Sequence, residues 1–253
     1  MALLEAQNLS VHFGGLAAVK SVTFGIEPGE RLALIGPNGA GKTTLFNLLT
    51  GQLKPSGGKV FFKGQDITNA SVHARTHLGM ARSFQITSLF AYQSVMVNAM
   101  IGLQGVEKSR YGFFQPLFKD RALKAAAQAL LESTDSWDLR DEIVSSLAHG
   151  QQRKLEIALS LASHPDLLLL DEPSCGLTTV ESADITRRIR DLGPKITVLM
   201  IAHDMDLVFG VAERVILLHY GQIACEGTCD EIRSNEMVRE IYMGTRKQLG
   251  AGR

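Results

Sequence analysis

The chain of 253 residues, 45% hydrophobic and 21% charged, can bury one large core or two small ones and is too apolar for a disordered polymer. Lysine plus arginine balance aspartate plus glutamate at 26 each, so no net field gathers nucleic acid or an anionic membrane, and partners have to be recognised by shape. The three cysteines, Cys175, Cys225 and Cys229, form no CxxC pair and no even framework, which predicts reduced thiols with packing roles in a cytosolic protein.

The opening "MALLEAQNLSVHF" lacks the basic start of a targeting segment, and no apolar run reaches the roughly 18 residues of a membrane span, so the chain is expected to stay out of the bilayer. Strands come first: "LLEAQNLSVHF" and "LAAVKSVTFGIEPGERLALIG" alternate and are rich in β-branched residues, with turn signals at Gly14 and Gly15 and at Pro28 and Gly29. "RLALIG" is short and almost continuously apolar, as a strand buried on both faces should be, and it runs into a glycine-rich turn and a helix from Lys42 to about Thr50. "GKVFFKGQDIT" predicts a further strand pair. From about Val72 to Leu161 the spacing becomes helical in "VHARTHLGMARSFQ", "SVMVNAMIGL", "RALKAAAQALLEST" and "SSLAHGQQRKLEIA". Strands return in "DLLLLDEP", "ITVLMIAHD" and "RVILLHYGQIACEG", separated by the amphipathic "VESADITRRIRDL", and this alternation predicts a covered, mostly parallel sheet.

"GPNGAGKT", Gly36 to Thr43, matches G-x-x-x-x-G-K-[ST] between a strand and a helix. Backbone N–H groups of such a loop wrap phosphates, Lys42 reaches the β and γ oxygens, and the Thr43 hydroxyl ligates Mg²⁺. "LLLLDEP" adds an apolar strand that carries Asp171 to its end, where it orients Mg²⁺ through water, with Glu172 next to it to polarise the attacking water. The helix expected at "SSLAHGQQRKLEIA" is a second anion-binding N-terminus, so one nucleotide is provided for twice.

Together the phosphate loop, Gln85 closing "ARSFQ", the "LAHGQQ" helix ahead of "LLLLDEP" and His203 in "VLMIAHD" resemble the ATP-binding cassette of ABC transporters over nearly the whole chain. "TLFNLLTGQLKPSGGKVFFKGQDIT", "GMARSFQITSLF", "LAHGQQRKLEIA" and "YGQIACEGTCDEIRSNEMVREIYMG" look like the ATPase subunits of branched-chain and hydrophobic amino-acid importers. The resemblance implies an α/β P-loop NTPase fold in one ABC domain spanning 1–253. Its RecA-like, mostly parallel core and N-terminal antiparallel β subdomain would fall at about 1–84 and 162–253, and its inserted α-helical subdomain at about 85–161.

The resemblance also resolves the duplication, because in that family two cassettes dimerise head to tail and each signature helix caps the ATP held by the other subunit. Gly150 then lets the backbone approach the partner's γ-phosphate, with Ala148 and Gln151 beside it. Gly36, Pro37, Asn38, Gly39, Ala40, Gly41, Lys42, Thr43 and Thr44 hold the chain's own ATP, and Phe13 stacks on adenine. Gln85 senses Mg²⁺ and water, His203 sits near the γ-phosphate, and the apolar "ITSLFAYQSVMVNAMIGL" would help receive a permease helix. Two departures stand out. Ala148 replaces the usual serine of the signature, and Thr178 replaces the usual aspartate of the loop after "LLLLDEP", so the two composite sites of a mixed dimer would hydrolyse unequally.

The expected protein is an ATPase that binds MgATP, pairs with a like or paralogous ATP-binding subunit and drives import through integral-membrane permease subunits at the cytoplasmic face of the membrane. A periplasmic or lipid-anchored binding protein would take part indirectly, and nucleic acid would not. Branched-chain or related amino acids lead as the cargo. Urea, amides, aromatic compounds and lipopolysaccharide export stay open, with a soluble, non-transport ATPase of the same kind behind them.

Overall fold

A computed structural model describes residues 1–83, 89–106 and 120–241. Alternation sends Leu4 and Ala6 of β1 (Leu4–Phe13) to the buried face, and a register shift between Ala6 and Leu9, with Asn8 at φ 48°, returns Leu9 and Val11 to it. β1 pairs antiparallel with β2 (Leu16–Ile26) on one side and β4 (Gly57–Phe62) on the other, and β5 (Gln65–Asp66) follows β4, giving the order β2-β1-β4-β5.

The second sheet is built from the continuously apolar runs. β3 (Arg31–Ile35), β6 (Met80–Arg82), β7 (Leu167–Asp171), β8 (Thr197–Ile201) and β9 (Arg214–His219) are parallel, and β10 (Gln222–Thr228) turns back antiparallel, in the order β10-β9-β3-β8-β7-β6. Both faces are covered, as such runs require. Leu32, Leu34, Leu167 and Leu169 pack towards the antiparallel sheet and α1 (Lys42–Thr50). Ala33, Ile35, Leu168 and Leu170 pack with α6 (Thr179–Arg190), α7 (Met205–Val211) and α8 (Cys229–Ser234). A third cluster, including Val95, Ala99, Leu123, Leu131, Leu147 and Leu155, joins α3 (Val95–Val106), α4 (Arg121–Ser133) and α5 (His149–Leu161).

Two expectations fail locally. "VHARTHLGMARSFQ" is not helical throughout: α2 (Val72–His77) stops before Gly79, and Met80 and Ala81 are buried in β6 against β7. Pairing at the sheet edge outweighs the helical spacing of three apolar residues, a tertiary gain that sequence periodicity does not register. The signature helix begins at His149 and not at Ser145; Val144–Ser146 form a single 3-10 turn and Leu147 is extended. Leu147 is 8% exposed, so its burial in the helical cluster draws the chain out of helix one residue before the cap at Ala148.

Arg75 is the largest side chain in the fully buried interior, and it serves as a staple. Its guanidinium donates to the carbonyls of Leu48, Leu49, Ile67, Thr68 and Ala70, which fastens the end of α1 to the segment after β5, and burial pushes its pKa down to about 10. Arg75→Ala is expected to remove about 3–5 kcal/mol of unfolding free energy, because several buried carbonyls lose a charged donor and each unsatisfied buried acceptor costs roughly 1–3 kcal/mol. Urea melts test this, and a change inside roughly 0.5 kcal/mol, ordinary for a surface substitution, would contradict the staple.

Candidate nucleotide-binding site

β3 ends inside the sheet, so its next residues form a loop at the carboxyl edge, where open α/β sheets bind ligands. Gly41 enters α1 at φ 99°, and a Cβ there would lie 2.5 Å from the carbonyl oxygen of Ala18, so both conformation and space demand glycine. No side chain caps this helix start, which leaves its first-turn N–H groups to an anion. Lys42 is 8% exposed, and its Nζ donates to the carbonyls of Gly36 (2.6 Å) and Pro37 (3.0 Å). Burial lowers its pKa, while Glu172 and then Asp171 pull it back up.

Asn38, Gly39, Ala40, Gly41, Lys42, Thr43 and Thr44 all line a cavity of about 290 Å³, with Glu172 in its wall. Gly36 and Pro37 contribute from behind, through the carbonyls that hold Lys42.

The carboxylates arrive on β7. Asp171 is 0% exposed; its Oδ2 accepts from Arg82 Nη2 at 2.8 Å, and its Oδ1 is buried with no hydrogen-bond partner. Burial raises this carboxyl, opposed by Arg82. Among the described residues no three His, Cys, Asp or Glu side chains gather to hold a metal. A divalent cation here would instead use the Thr43 hydroxyl, the orphaned Asp171 oxygen, waters and phosphate oxygens, the sparse protein ligation that Mg²⁺ tolerates.

Glu172 adopts a left-handed backbone, φ 46°, and its N–H donates to the Ile201 carbonyl at 2.9 Å, the last bond between the β7 and β8 ends. The same pairing brings His203 over from β8, with its Nδ1 3.7 Å from Glu172 Oε1. A water held against Glu172 would lose its proton to that carboxylate as it attacks a phosphorus atom in the cavity. Gln85 lies outside the described residues.

The signature segment sits apart: among the described residues no residue of α5 lines the Lys42 cavity. Ala148 supplies no hydroxyl, and its N–H donates to Gln151 Oε1 at 3.0 Å, so the glutamine side chain caps its own helix. Gly150 meets a carboxylate of its own chain, since a Cβ there would lie 2.3 Å from Glu181 Oε1. Glu181 Oε2 accepts from the Thr178 N–H (2.9 Å) and hydroxyl (2.8 Å), and Thr178 caps α6 in return. The residue expected to be aspartate is therefore committed as a helix cap. The Thr178 N–H and hydroxyl first, and then the N–H of Gly150, hold the Glu181 carboxyl below its ordinary range.

Phe13 ends β1 at 52% exposure and is not itself in the cavity wall, but its pairing partner Leu16 is. Ala17, Ala18, Lys20, Tyr220 and Gly221 also line that wall, none of them anticipated from the sequence. "YG" between two strands signals a turn; only β9 lying parallel to β3 swings that turn to the phosphate loop.

The family description of ABC transporters matches residues 19–175 of this sequence. The chain belongs to the ABC transporter family. It is an ABC-type ATPase, the ATP-binding subunit of a transporter. This ABC cassette is 36% identical over 251 residues to the high-affinity branched-chain amino acid transport ATP-binding protein LivG of Escherichia coli K12, covering 96% of this chain and 98% of that one. It is 34% identical over 248 residues to the lipopolysaccharide export system ATP-binding protein LptB of Acidithiobacillus ferridurans, covering 98% and 99%. Its backbone matches the crystal structure of the ADP conformation of an ABC transporter cassette with a TM-score of 0.86 at 31% identity, covering 96% of this chain and 99% of that one.

For this ABC cassette, Phe13→Ala is expected to weaken ATP and GTP binding alike, by about 1–3 kcal/mol, because stacking ignores base edges. Calorimetric titration of both nucleotides decides it. An unchanged affinity would transfer the base contact to Leu16 or Tyr220 in the cavity wall.

Proposed function

We propose that this ATPase drives the import of branched-chain or related amino acids, working as a dimer with a like or paralogous ATP-binding subunit on the cytoplasmic face of a separate membrane permease. The observation that carries the ATPase site is the cavity that Lys42, Thr43 and Glu172 share. Lys42 turns from the carbonyls of Gly36 and Pro37 to the β and γ oxygens of ATP, and the first-turn N–H groups of α1 hold the remaining charge. Thr43 and Asp171 would hold Mg²⁺, which neutralises charge on the β and γ phosphates when bound. Glu172 takes a proton from the attacking water, whose oxygen bonds to the γ-phosphorus as the bond to the ADP oxygen breaks; His203 and Gln85 orient groups around the γ-phosphate. Gly150 of the other subunit closes over that phosphate, so ATP glues the dimer and hydrolysis releases it.

The third hydrophobic cluster supports reading 85–161 as a helical subdomain that carries Gly150 and meets the permease, against a core of 1–84 and 162–253. No described helix is long and apolar enough to cross a membrane, in keeping with attachment through the permease. The cargo rests on full-length similarity to the E. coli branched-chain subunit; the match to the lipopolysaccharide exporter favours a second reading. Deleting the gene in its source cell separates them. Uptake of labelled leucine, isoleucine and valine should fall, whereas normal uptake with lipopolysaccharide retained in the inner membrane would replace import by export.

A further inference from the structure

One buried side chain ties the signature helix directly to the backbone of the hydrolytic carboxylates. Arg153, on the turn of α5 that follows Gly150, is 6% exposed and donates to three successive carbonyls at the end of β7 and just after it: Asp171 (2.6 Å), Glu172 (2.9 Å) and Pro173 (3.2 Å). It also pairs with Glu156 at 2.8 Å, a carboxylate buried to 6% exposure on the same helix. Replacing a buried ion pair with apolar residues of similar size is often neutral or stabilising, so packing alone does not require the pair. Its donors point at the peptide units that set the direction of Glu172, a residue already held in a left-handed conformation. Rotation of either peptide would swing the carboxylate away from the water it has to deprotonate, and small misplacements at a reacting centre are expensive in rate.

We propose that Arg153 is a positioning residue that locks the backbone of Asp171, Glu172 and Pro173 to α5 and so aims the chain's own Glu172. This rests on the reading of the composite sites given above. The link runs within one chain but connects two different sites: α5 caps the nucleotide of the neighbour, and Glu172 serves the chain's own.

Arg153→Met/Glu156→Leu removes both charges at nearly constant volume and should fold, while taking the guanidinium away from all three carbonyls; among the described residues the Glu172 carbonyl keeps only the Cys175 N–H (3.1 Å). We expect it to bind ATP as the wild type does and to show a kcat lower by about 10- to 100-fold at little-changed KM. Arg153→Lys, which offers a compact ammonium in place of the fork, should recover part of that loss at an unchanged melting temperature. Folded double and lysine variants with kcat within roughly a factor of two of wild type would overturn the proposal. Should the double variant unfold, the lysine variant decides alone: kcat down by about fivefold or more at constant KM supports the proposal, and wild-type kcat overturns it.

A mixed dimer separates positioning from a general effect on α5. With one chain carrying Gly150→Leu and the other Lys42→Ala, the working site uses the carboxylates of the first chain and the signature of the second. Adding Arg153→Lys to the first chain should reduce the activity; a reduction only when it is added to the second chain would overturn the proposal. The ATP affinity lost in Lys42→Ala is measured separately, so failure of the proposal for Arg153 and failure of the nucleotide-site reading give different results.

Discussion

Glu172→Gln is expected to bind ATP and to turn it over about 10² to 10⁴ times more slowly than the wild type, because the amide keeps the size and hydrogen bonding of the carboxylate but accepts no proton. The geometry makes this substitution informative. Glu172 stands in the wall of the cavity that contains Lys42, and its backbone N–H is tied to Ile201, so the amide inherits the position of the acid. Binding should survive because the contacts to phosphate come from the loop and Lys42. Arrested hydrolysis should then accumulate the ATP-bound dimer, seen by light scattering with MgATP. A variant that stays monomeric and hydrolyses normally would remove Glu172 from the mechanism.

Gly150→Leu and Lys42→Ala are each expected to be inactive alone and to recover activity when mixed. Lys42→Ala should weaken ATP binding by at least about tenfold, since charge-assisted hydrogen bonds are worth roughly 1.5–3 kcal/mol each. Gly150→Leu should bind ATP almost normally, because among the described residues no part of α5 lines its own cavity. Its hydrolysis should still fail: the leucine meets Glu181 at the helix start and keeps that N-terminus from a partner's phosphate. A dimer with one chain of each kind rebuilds one sound site from the phosphate loop of the first and the signature of the second. The assay is ATPase activity of each variant and of the mixture, with mixed dimers verified by differential tags and, where isolated subunits pair weakly, with permease present. No recovery would reject shared sites between identical chains and leave pairing with a distinct ATP-binding subunit.

The phosphate loop was legible because its chemistry is local. Strand, glycine turn and helix follow one another in sequence, so each residue from Gly36 to Thr44 could be given a role before any packing was known. Asp171 and Glu172 were legible for the same reason, at the end of an apolar run. The edge strand β6 and the start of α5 at His149 were not, because each is decided by burial against segments far along the chain, Met80 beside Leu167 and Leu147 within the helical cluster. Periodicity reports the face a residue would show in a helix or strand, not which neighbour competes for it.

The sequence by itself determined the anion-binding loop, the paired carboxylates, the alternation that makes a covered parallel sheet, and the resemblance that named the family. Only the tertiary structure decided what meets what. Parallel pairing of β7 with β8 brought His203 to Glu172, and β9 beside β3 carried Tyr220 into the cavity wall. Folding of α5 onto the end of β7 gave Arg153 three carbonyls that no spacing in the sequence announces. The physical reason is that short-range conformational preferences and phosphate chemistry are written within a few residues. A contact between distant segments depends instead on which burial and pairing partners win across the whole chain.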